Sequence, residues 1–185
     1  MSKILPLFTM TCVLLAACQE RAPAVTTAGT AATAPATACT RLSEVVAAHV
    51  LALPAAQAHP EQANACHWDS GKPDTPFPIL SLSVNAYNDE TSAIKLFEAT
   101  SAMQSKLSKG VNAALGEKTR RSGRAPEGVG DEAWLQLDDV AGTDTAMLVV
   151  RKGRAVYTLG VVGMGSMQGL PERLEAAGRA VVGQP

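Results

Sequence analysis

The stretch ILSLSVNAYNDETSAIKLFEATSAMQSKLS, residues 79–108, places a strand pattern directly before a helix pattern. In Ile79–Tyr87 apolar side chains alternate with serine and asparagine, which is typical of a strand with one buried and one solvated face. From Asp89, which can cap a helix, apolar residues recur at helical spacing through about Ser108. The stretch therefore predicts a helix packed on an antiparallel sheet, so the fold class is α+β.

The segments on either side extend this layout. We expect further helices and strands in these ranges: helix 42–53, strand 65–68, a strand ending near 137, strands 144–151 and 154–162 around a Lys152-Gly153 turn, and helix 170–182. The predicted order is α-β-β-α-β-β-β-α. Residues 55–64 are predicted to be a loop, and 111–130 shows no clear pattern. Val45 and His49 fall on the predicted apolar stripe of the first helix.

Composition limits the classes of function. The 185 residues contain 16 Lys+Arg against 17 Asp+Glu, and this balance argues against a nucleic-acid binder, which needs excess positive charge. Aromatic residues make up only 4%, which argues against base-stacking platforms. The short basic run 118–124 favours a solvated loop, with anionic lipid or an acidic partner as the alternative.

The N-terminal segment has the pattern of a signal peptide. After a short positive start, about fourteen mostly apolar residues follow, whereas a spanning helix needs roughly 20. Leu15-Ala16-Ala17-Cys18 resembles the bacterial lipobox, which implies that Cys18 is lipidated and becomes the mature N-terminus. The alternative is an ordinary cleavable signal with a chance cysteine. By the sorting rule of enteric bacteria, Gln19 favours the outer membrane.

These features divide the chain into three parts. Residues 1–17 are the predicted signal peptide, 18–38 a lipidated cysteine with a flexible tether, and 39–185 one globular domain. The tether is rich in Ala, Thr and Pro and buries too little apolar surface to offset its ordering entropy. We therefore expect a lipid-anchored protein of the bacterial cell envelope, in the outer membrane and facing the periplasm.

Cysteine usage agrees with that compartment. With Cys12 in the signal peptide and Cys18 lipidated, Cys39 and Cys66 remain, and we predict a disulfide between them. The alternative is a metal site that combines cysteine with His49, His59 and His67. Paired C-x-x-C spacing is missing, so we expect no metal.

Three residues are candidate binding residues. Trp68 lies two residues after Cys66, hence on the same strand face, and is expected to pack over the disulfide, with a recognition site as the alternative. Asp131 and Trp134 belong to the turn that leads into the next strand and are the other candidates.

The chain resembles a broad set of small bacterial envelope lipoproteins of unknown function, related in form to the extracellular sensor domains of mycobacterial serine/threonine kinases. The features that carry the resemblance are the lipobox 15–18, Cys39 before the first helix, Cys66-His67-Trp68, the turn 128–133 and the Lys152-Gly153 hairpin. The resemblance implies an α/β fold, a disulfide and placement in the envelope. It implies no catalytic residues.

Enzyme motifs are incomplete. Ser92-Ala93-Ile94-Lys95 fits S-x-x-K, but the S-D-N and K-T-G elements of penicillin-recognising enzymes are missing. Gly163-Met164-Gly165 is not followed by the third glycine of a dinucleotide loop, because position 168 is Gln. We therefore expect a protein that is not an enzyme and holds no cofactor.

The sequence predicts a non-enzymatic, membrane-anchored binding or sensing module for an envelope protein or a small ligand. One alternative is an immunity or inhibitor lipoprotein that blocks a hydrolase. Another is a small envelope hydrolase or metal-dependent enzyme that uses His49, His59 or His67 with nearby acids. Convergence of two histidines and an acid in a pocket would favour the enzyme.

Overall fold

The computed structural model describes residues 37–75, 77–115, 119–140, 143–163 and 168–184, which all belong to one unit, Pro35–Pro185. The predicted signal peptide, Cys18 and almost all of the predicted tether lie outside the described residues. The described elements, in chain order, are a 3-10 helix Ala38–Thr40, α1 Glu44–Leu51, β1 Gln57–Gln62, β2 Ala65–Asp69, β3 Ile79–Ala86, α2 Glu90–Leu115, β4 Thr119–Arg124, β5 Glu132–Val140, β6 Thr143–Lys152, β7 Ala155–Val162 and α3 Leu170–Val182.

The strands form one sheet in the order β1-β2-β3-β7-β6-β5-β4, and every neighbouring pair is antiparallel. This confirms the predicted α+β class. The sheet holds two strands more than predicted. β1 lies in the predicted loop 55–64, and β4 lies in the unassigned segment 111–130.

Both missed strands are edge strands. Because an edge strand pairs on one side only and faces water, its residues need neither alternation nor apolar character. β1 reads QAHPEQ and contains Pro60, a residue that sheets accept at their edges. β4 reads TRRSGR and includes most of the basic run, which is therefore largely strand and not loop.

Helix ends and turns follow local signals closely. The Asp89 carboxylate accepts the Ser92 N–H at 2.8 Å, so it caps α2 as predicted, although α2 extends beyond Ser108 to Leu115. The turn between β6 and β7 consists of Gly153 and Arg154, one residue later than predicted, because Lys152 pairs with Ala155. Gly153 has φ +55°, which favours glycine.

Helices cover both faces of the sheet. α1 and α3 pack on one face, and α2 packs on the other against β4, β6 and β7. The larger core, on the α1 and α3 side, contains Trp68, Leu80, Leu82, Leu135, Leu148, Leu159, Leu174 and Val181. The smaller core, on the α2 side, contains Ala93, Phe97, Val149 and Val156.

The predicted disulfide between Cys39 and Cys66 is confirmed. It joins the 3-10 helix to β2 across 27 residues of sequence. In the chain-entropy model, a loop of this length stabilises the folded state by roughly 3.6 kcal/mol.

The predicted stripe of α1 is wrong in two positions. Val45 is 80% exposed, and His49 is also exposed. The helix instead buries Ala47, Val50 and Leu51 toward the core it shares with α3. Alanines leave room for two helices to approach closely, a property that hydrophobic periodicity does not record.

Candidate functional site

One row of side chains crosses the α2 side of the sheet from edge to edge. Directly opposed residues of antiparallel strands lie on the same face, so the strand pairings define the row. Its members, in strand order from β1 to β4, are His59, His67, Ser81, Gly160, Met147, Gln136 and Gly123. We call this set the cross-strand row. Its polar members mark two candidate sites.

The first site lies on β1 and β2, and we call it the histidine cluster: His59, Glu61, His67 and Asp69. His59 Nε2 lies 3.2 Å from Asp69 Oδ1, and His67 Nδ1 lies 3.0 Å from Glu61 Oε1. The two imidazole rings are stacked, with centroids 4.9 Å apart and planes inclined by 17°. Strand pairing thus brings together two of the three predicted histidines and two acids.

Asp69 has two hydrogen-bond partners within and beside the histidine cluster. Its Oδ1 accepts the Gly71 N–H at 2.6 Å. The hydrogen bond from Gly71, and then that from His59, lowers the pKa of Asp69 below its usual 3.8 against the opposing effect of burial. The carboxylate is therefore ionised at neutral pH. His59, His67 and Asp69 each offer one ligand atom, all within 4.8 Å of one another, so they can hold a metal ion.

The second site, which we call the α2 groove, lies beside α2. It has a volume of about 350 Å³. Its lining residues are Ser81, Gln104, Gln136, Asp138, Thr145, Ala146, Met147, Thr158, Gly160, Val161 and Val162. Four strands, β3, β7, β6 and β5, contribute to it. Ser81, Gln136, Thr145 and Thr158 carry hydroxyl or amide groups at positions where a covered sheet would carry large apolar side chains, whereas Met147, Val161 and Val162 are apolar.

Gln136 is a buried polar residue in this lining. It is 2% exposed, and its Nε2 donates to Asp138 Oδ1 at 2.9 Å and to Leu137 O at 3.3 Å. A carboxylate only accepts hydrogen bonds, so this contact fixes which amide atom is nitrogen. The Oε1 atom is buried and has no hydrogen-bond partner among the described residues. A buried carbonyl without a partner costs about 1–3 kcal/mol.

Most side chains that line the α2 groove are uncharged. Among the described residues, Asp138 is the charged member of the lining, and the lining contains no Lys, Arg, His or Cys. Ser81 Oγ donates to Gly160 O at 3.3 Å, and the cross-strand neighbour of Ser81 is His67. The hydroxyl and amide groups suit binding of a neutral polar molecule.

His49 lies apart from the other histidines. It lines a separate cavity of about 420 Å³ at the C-terminal end of α1, together with Val45, Leu53 and Pro54. Histidines 59 and 67 are on strands at the sheet edge and do not line either cavity. Convergence of two histidines and an acid is thus present, but outside these pockets.

The two tryptophans have different surroundings. Trp68 is fully buried in the core cluster that also contains Cys66, consistent with packing near the disulfide. Trp134 is half-buried on the α2 side, and its Nε1 has no hydrogen-bond partner among the described residues. Its ring lies against Gly123, where an added Cβ would come within 2.3 Å of Cζ2. The close approach explains the glycine, since any side chain there would displace the ring.

Asp131 has intramolecular partners. Its Oδ2 accepts the Gly153 N–H at 2.7 Å and the Arg151 Nη1 at 3.3 Å, and its Oδ1 accepts the Lys152 ammonium at 2.8 Å. These contacts hold the turn between β6 and β7 against the start of β5. We therefore assign Asp131 a structural role and leave it out of the candidate sites.

Glu61, Asp69 and Gln136 were not predicted from the sequence as site residues. A signal for Gln136 was present, because Trp134, Gln136 and Asp138 alternate along β5 on one face. Glu61 and Asp69 carry no comparable local signal, since their role depends on the pairing of β1 with β2.

None of the helices in the described ranges has the length and apolar composition needed to cross a membrane. No family model matches the sequence, and no curated protein matches it. One similar solved structure is the solution structure of cyanobacterial PsbP (CyanoP) from Synechocystis sp. PCC 6803. It shares 9% identity, the match covers 69% of this chain and 89% of that chain, and the TM-score is 0.33.

Proposed function

We propose that this protein is a bacterial envelope lipoprotein, anchored through lipid on Cys18, whose domain binds a small ligand in the α2 groove and does not convert it. The lipobox resemblance at residues 15–18 supports the anchor, and Gln19 supports the outer membrane. The resemblance to small envelope lipoproteins supports the same placement. The observation that carries the binding function is the set of hydroxyl and amide side chains in the α2 groove, on a sheet face that a helix covers only in part.

The α2 groove has polar side chains at positions where apolar side chains would bury more surface. Thr145 and Thr158 occupy positions where valine would fit the same strand and gain apolar contacts. Retaining hydroxyls there keeps hydrogen-bonding groups available to a ligand. Gln136 also lies in the groove, and its buried side-chain carbonyl, which has no hydrogen-bond partner among the described residues, lowers the stability of the folded state.

The ligand class follows from the lining. The ligand is a neutral polar molecule, because the described lining, apart from Asp138, consists of hydroxyl, amide, apolar and glycine residues. It carries several hydroxyl or amide groups, which match the threonine and serine hydroxyls and the amide side chains. A volume of about 350 Å³ accommodates a molecule of monosaccharide size.

Binding without conversion is supported by the same residues. Among the described residues, no histidine, cysteine or lysine lines the α2 groove. Ser81 is the cross-strand neighbour of His67, but its hydroxyl donates to Gly160 O at 3.3 Å and is not aligned as an activated nucleophile. The histidine cluster lies on β1 and β2, outside the groove lining.

The test uses glucose and N-acetylglucosamine as neutral probes of the full-length protein. We expect at least one of them to shift NMR resonances of groove residues and to be recovered unchanged.

Thr158→Val keeps shape and strand propensity but removes the hydroxyl, and it is expected to weaken probe binding about five- to tenfold. Thr91→Val, at an exposed position in the first turn of α2, is the matched control and should bind as the wild type does. Absence of binding by both neutral probes, or equal effects of both substitutions, would contradict the proposal.

A further inference from the structure

The histidine cluster carries an inference that is independent of the α2 groove. Its side chains lie on the two strands at the β1 edge of the sheet and are partly exposed: 36% for His59, 29% for His67, 21% for Asp69 and 58% for Glu61. They are therefore reachable from solvent yet held by strand pairing. Two imidazoles and a carboxylate are donors that divalent transition ions accept.

The spacing of the donors already approaches that of a metal centre. Two ligands of a tetrahedral zinc ion with bonds of 2.0–2.1 Å lie roughly 3.4 Å apart. His59 Nε2 and Asp69 Oδ1 are separated by 3.2 Å, close to that value. The third donor, from His67, lies within 4.8 Å of the others, so closure needs a shift of about 1 Å in a partly exposed ring.

Glu61 prepares His67 for this role. Its carboxylate lies 3.0 Å from Nδ1 of His67, which favours the proton on that nitrogen and leaves Nε2 as the donor atom. A carboxylate bonded to the distal nitrogen of a metal-binding histidine is the usual outer contact of such sites. Asp69 is prepared in turn by the Gly71 N–H at 2.6 Å, which orients its carboxylate.

The charge of the cluster fits a divalent ion. Glu61 and Asp69 supply two negative charges beside two imidazoles. The stacked rings, with centroids 4.9 Å apart, place both imidazoles beside these carboxylates.

We propose that His59, His67 and Asp69 form a binding site for a divalent transition ion, zinc above all, with Glu61 as the residue that positions His67. The three protein ligands leave a fourth position for water or for a group from a partner. This assignment differs from the sequence-based expectation of no metal.

The test measures Zn²⁺ binding to the full-length protein by calorimetry after alkylation of free thiols, so that Cys12 and Cys18 cannot contribute. We expect one zinc ion per chain. Loading with Co²⁺ is expected to give the visible absorption of a low-coordinate site with nitrogen and oxygen ligands. Zinc is also expected to raise the melting temperature, because it binds the folded chain.

His67→Ala is expected to lower the affinity more than about 100-fold, and Glu61→Ala about 10–100-fold, since it removes only the outer contact. His49→Ala is the matched control and should leave binding unchanged, because His49 lies on α1 and away from the cluster. Melting of all variants without metal checks that they fold.

Failure of the wild-type protein to bind Zn²⁺ up to the millimolar range would overturn the assignment. So would unchanged zinc affinity in the double variant His59→Ala/His67→Ala. Either result leaves the α2 groove untouched, since the probes of that site contain no metal.

Discussion

Asp131 and Arg151 show how single residues hold the turn between β6 and β7 in place. Arg151 is 7% exposed, and its guanidinium donates to Glu132 at 2.6 Å and to Glu90 at 2.9 Å. Because a buried guanidinium is costly without partners, these carboxylates are needed at this position. Asp131 adds a third carboxylate and also accepts the Gly153 N–H in the turn. The network links β5, the β6–β7 turn and the first turn of α2.

Asp131→Asn is expected to lower the free energy of unfolding at neutral pH by about 1–2 kcal/mol. The Gly153 N–H, followed by the Lys152 ammonium, lowers the pKa of Asp131 below its ordinary 3.8. A carboxyl with a lowered folded pKa stabilises the protein above its unfolded pKa, and this contribution is lost as the pH falls through the folded value. The variant should therefore lose less stability than the wild type below about pH 4, as measured by urea unfolding across pH.

Asp74→Asn is the matched control, since Asp74 is exposed in the turn after β2. It should follow the wild-type dependence of stability on pH. Identical curves for Asp131→Asn and the wild type would show that the contacts of Asp131 contribute nothing to stability.

At the scale of elements, α1 is the clearest case of a helix that depends on its surroundings. It has only 8 residues, fewer than an isolated helix needs in water. Ser43 caps its start by accepting the Val46 N–H at 3.3 Å, and Glu44 Oε1 accepts the Ala58 N–H at 3.1 Å, which connects α1 to β1. Burial of Val50 and Leu51 supplies the remaining stabilisation.

Ser43→Ala is expected to lower the free energy of unfolding by about 1 kcal/mol, because loss of the cap leaves an amide of the first turn without its hydrogen-bond partner. Chemical denaturation measures the change. Ser122→Ala, at an exposed position on β4, is the control and should change stability by less than about 0.5 kcal/mol. A loss at Ser43 no larger than at Ser122 would mean that the cap is dispensable.

For the whole molecule, the attachment of the domain to its N-terminal segment is tied to the β1–β2 end of the sheet. The Ala38 N–H donates to Ala63 O at 3.1 Å, and the disulfide from Cys39 reaches β2 directly beside it. The described chain therefore starts next to the histidine cluster's strands. If Cys18 carries lipid, the anchored segment enters the domain beside the disulfide and the β1–β2 strand pair.

The predicted lipid anchor on Cys18 can be tested by expressing the protein in a bacterial host. Labelling with a palmitate analogue should mark the wild-type protein and place it in the membrane fraction, because two or more acyl chains give stable anchoring. Cys18→Ser should abolish both the label and membrane association. Cys12→Ser is the matched control and should keep both. A wild-type protein without label would overturn the anchor, as would label that persists in Cys18→Ser.

Sequence alone determined the features that depend on local periodicity or on simple counting. The alternation in Ile79–Tyr87 predicted a half-buried strand, and α3 begins and ends where its pattern predicted, at Leu170 and Val182. The pairing of Cys39 with Cys66 followed from elimination of the other cysteines. Each signal lies within a few residues of the feature it predicts or needs only a residue count.

Tertiary structure alone decided the edge strands and both candidate sites. β1 and β4 exist because their neighbours pair with them, and polar edge segments lack a hydrophobic period of their own. Neighbours in the cross-strand row such as Ser81 and Gly160 are far apart in sequence, so their contact depends on register, which a shift of one residue would reverse. The histidine cluster likewise requires β1 to pair with β2. Both candidate sites therefore depend on long-range strand pairing, which local patterns do not encode.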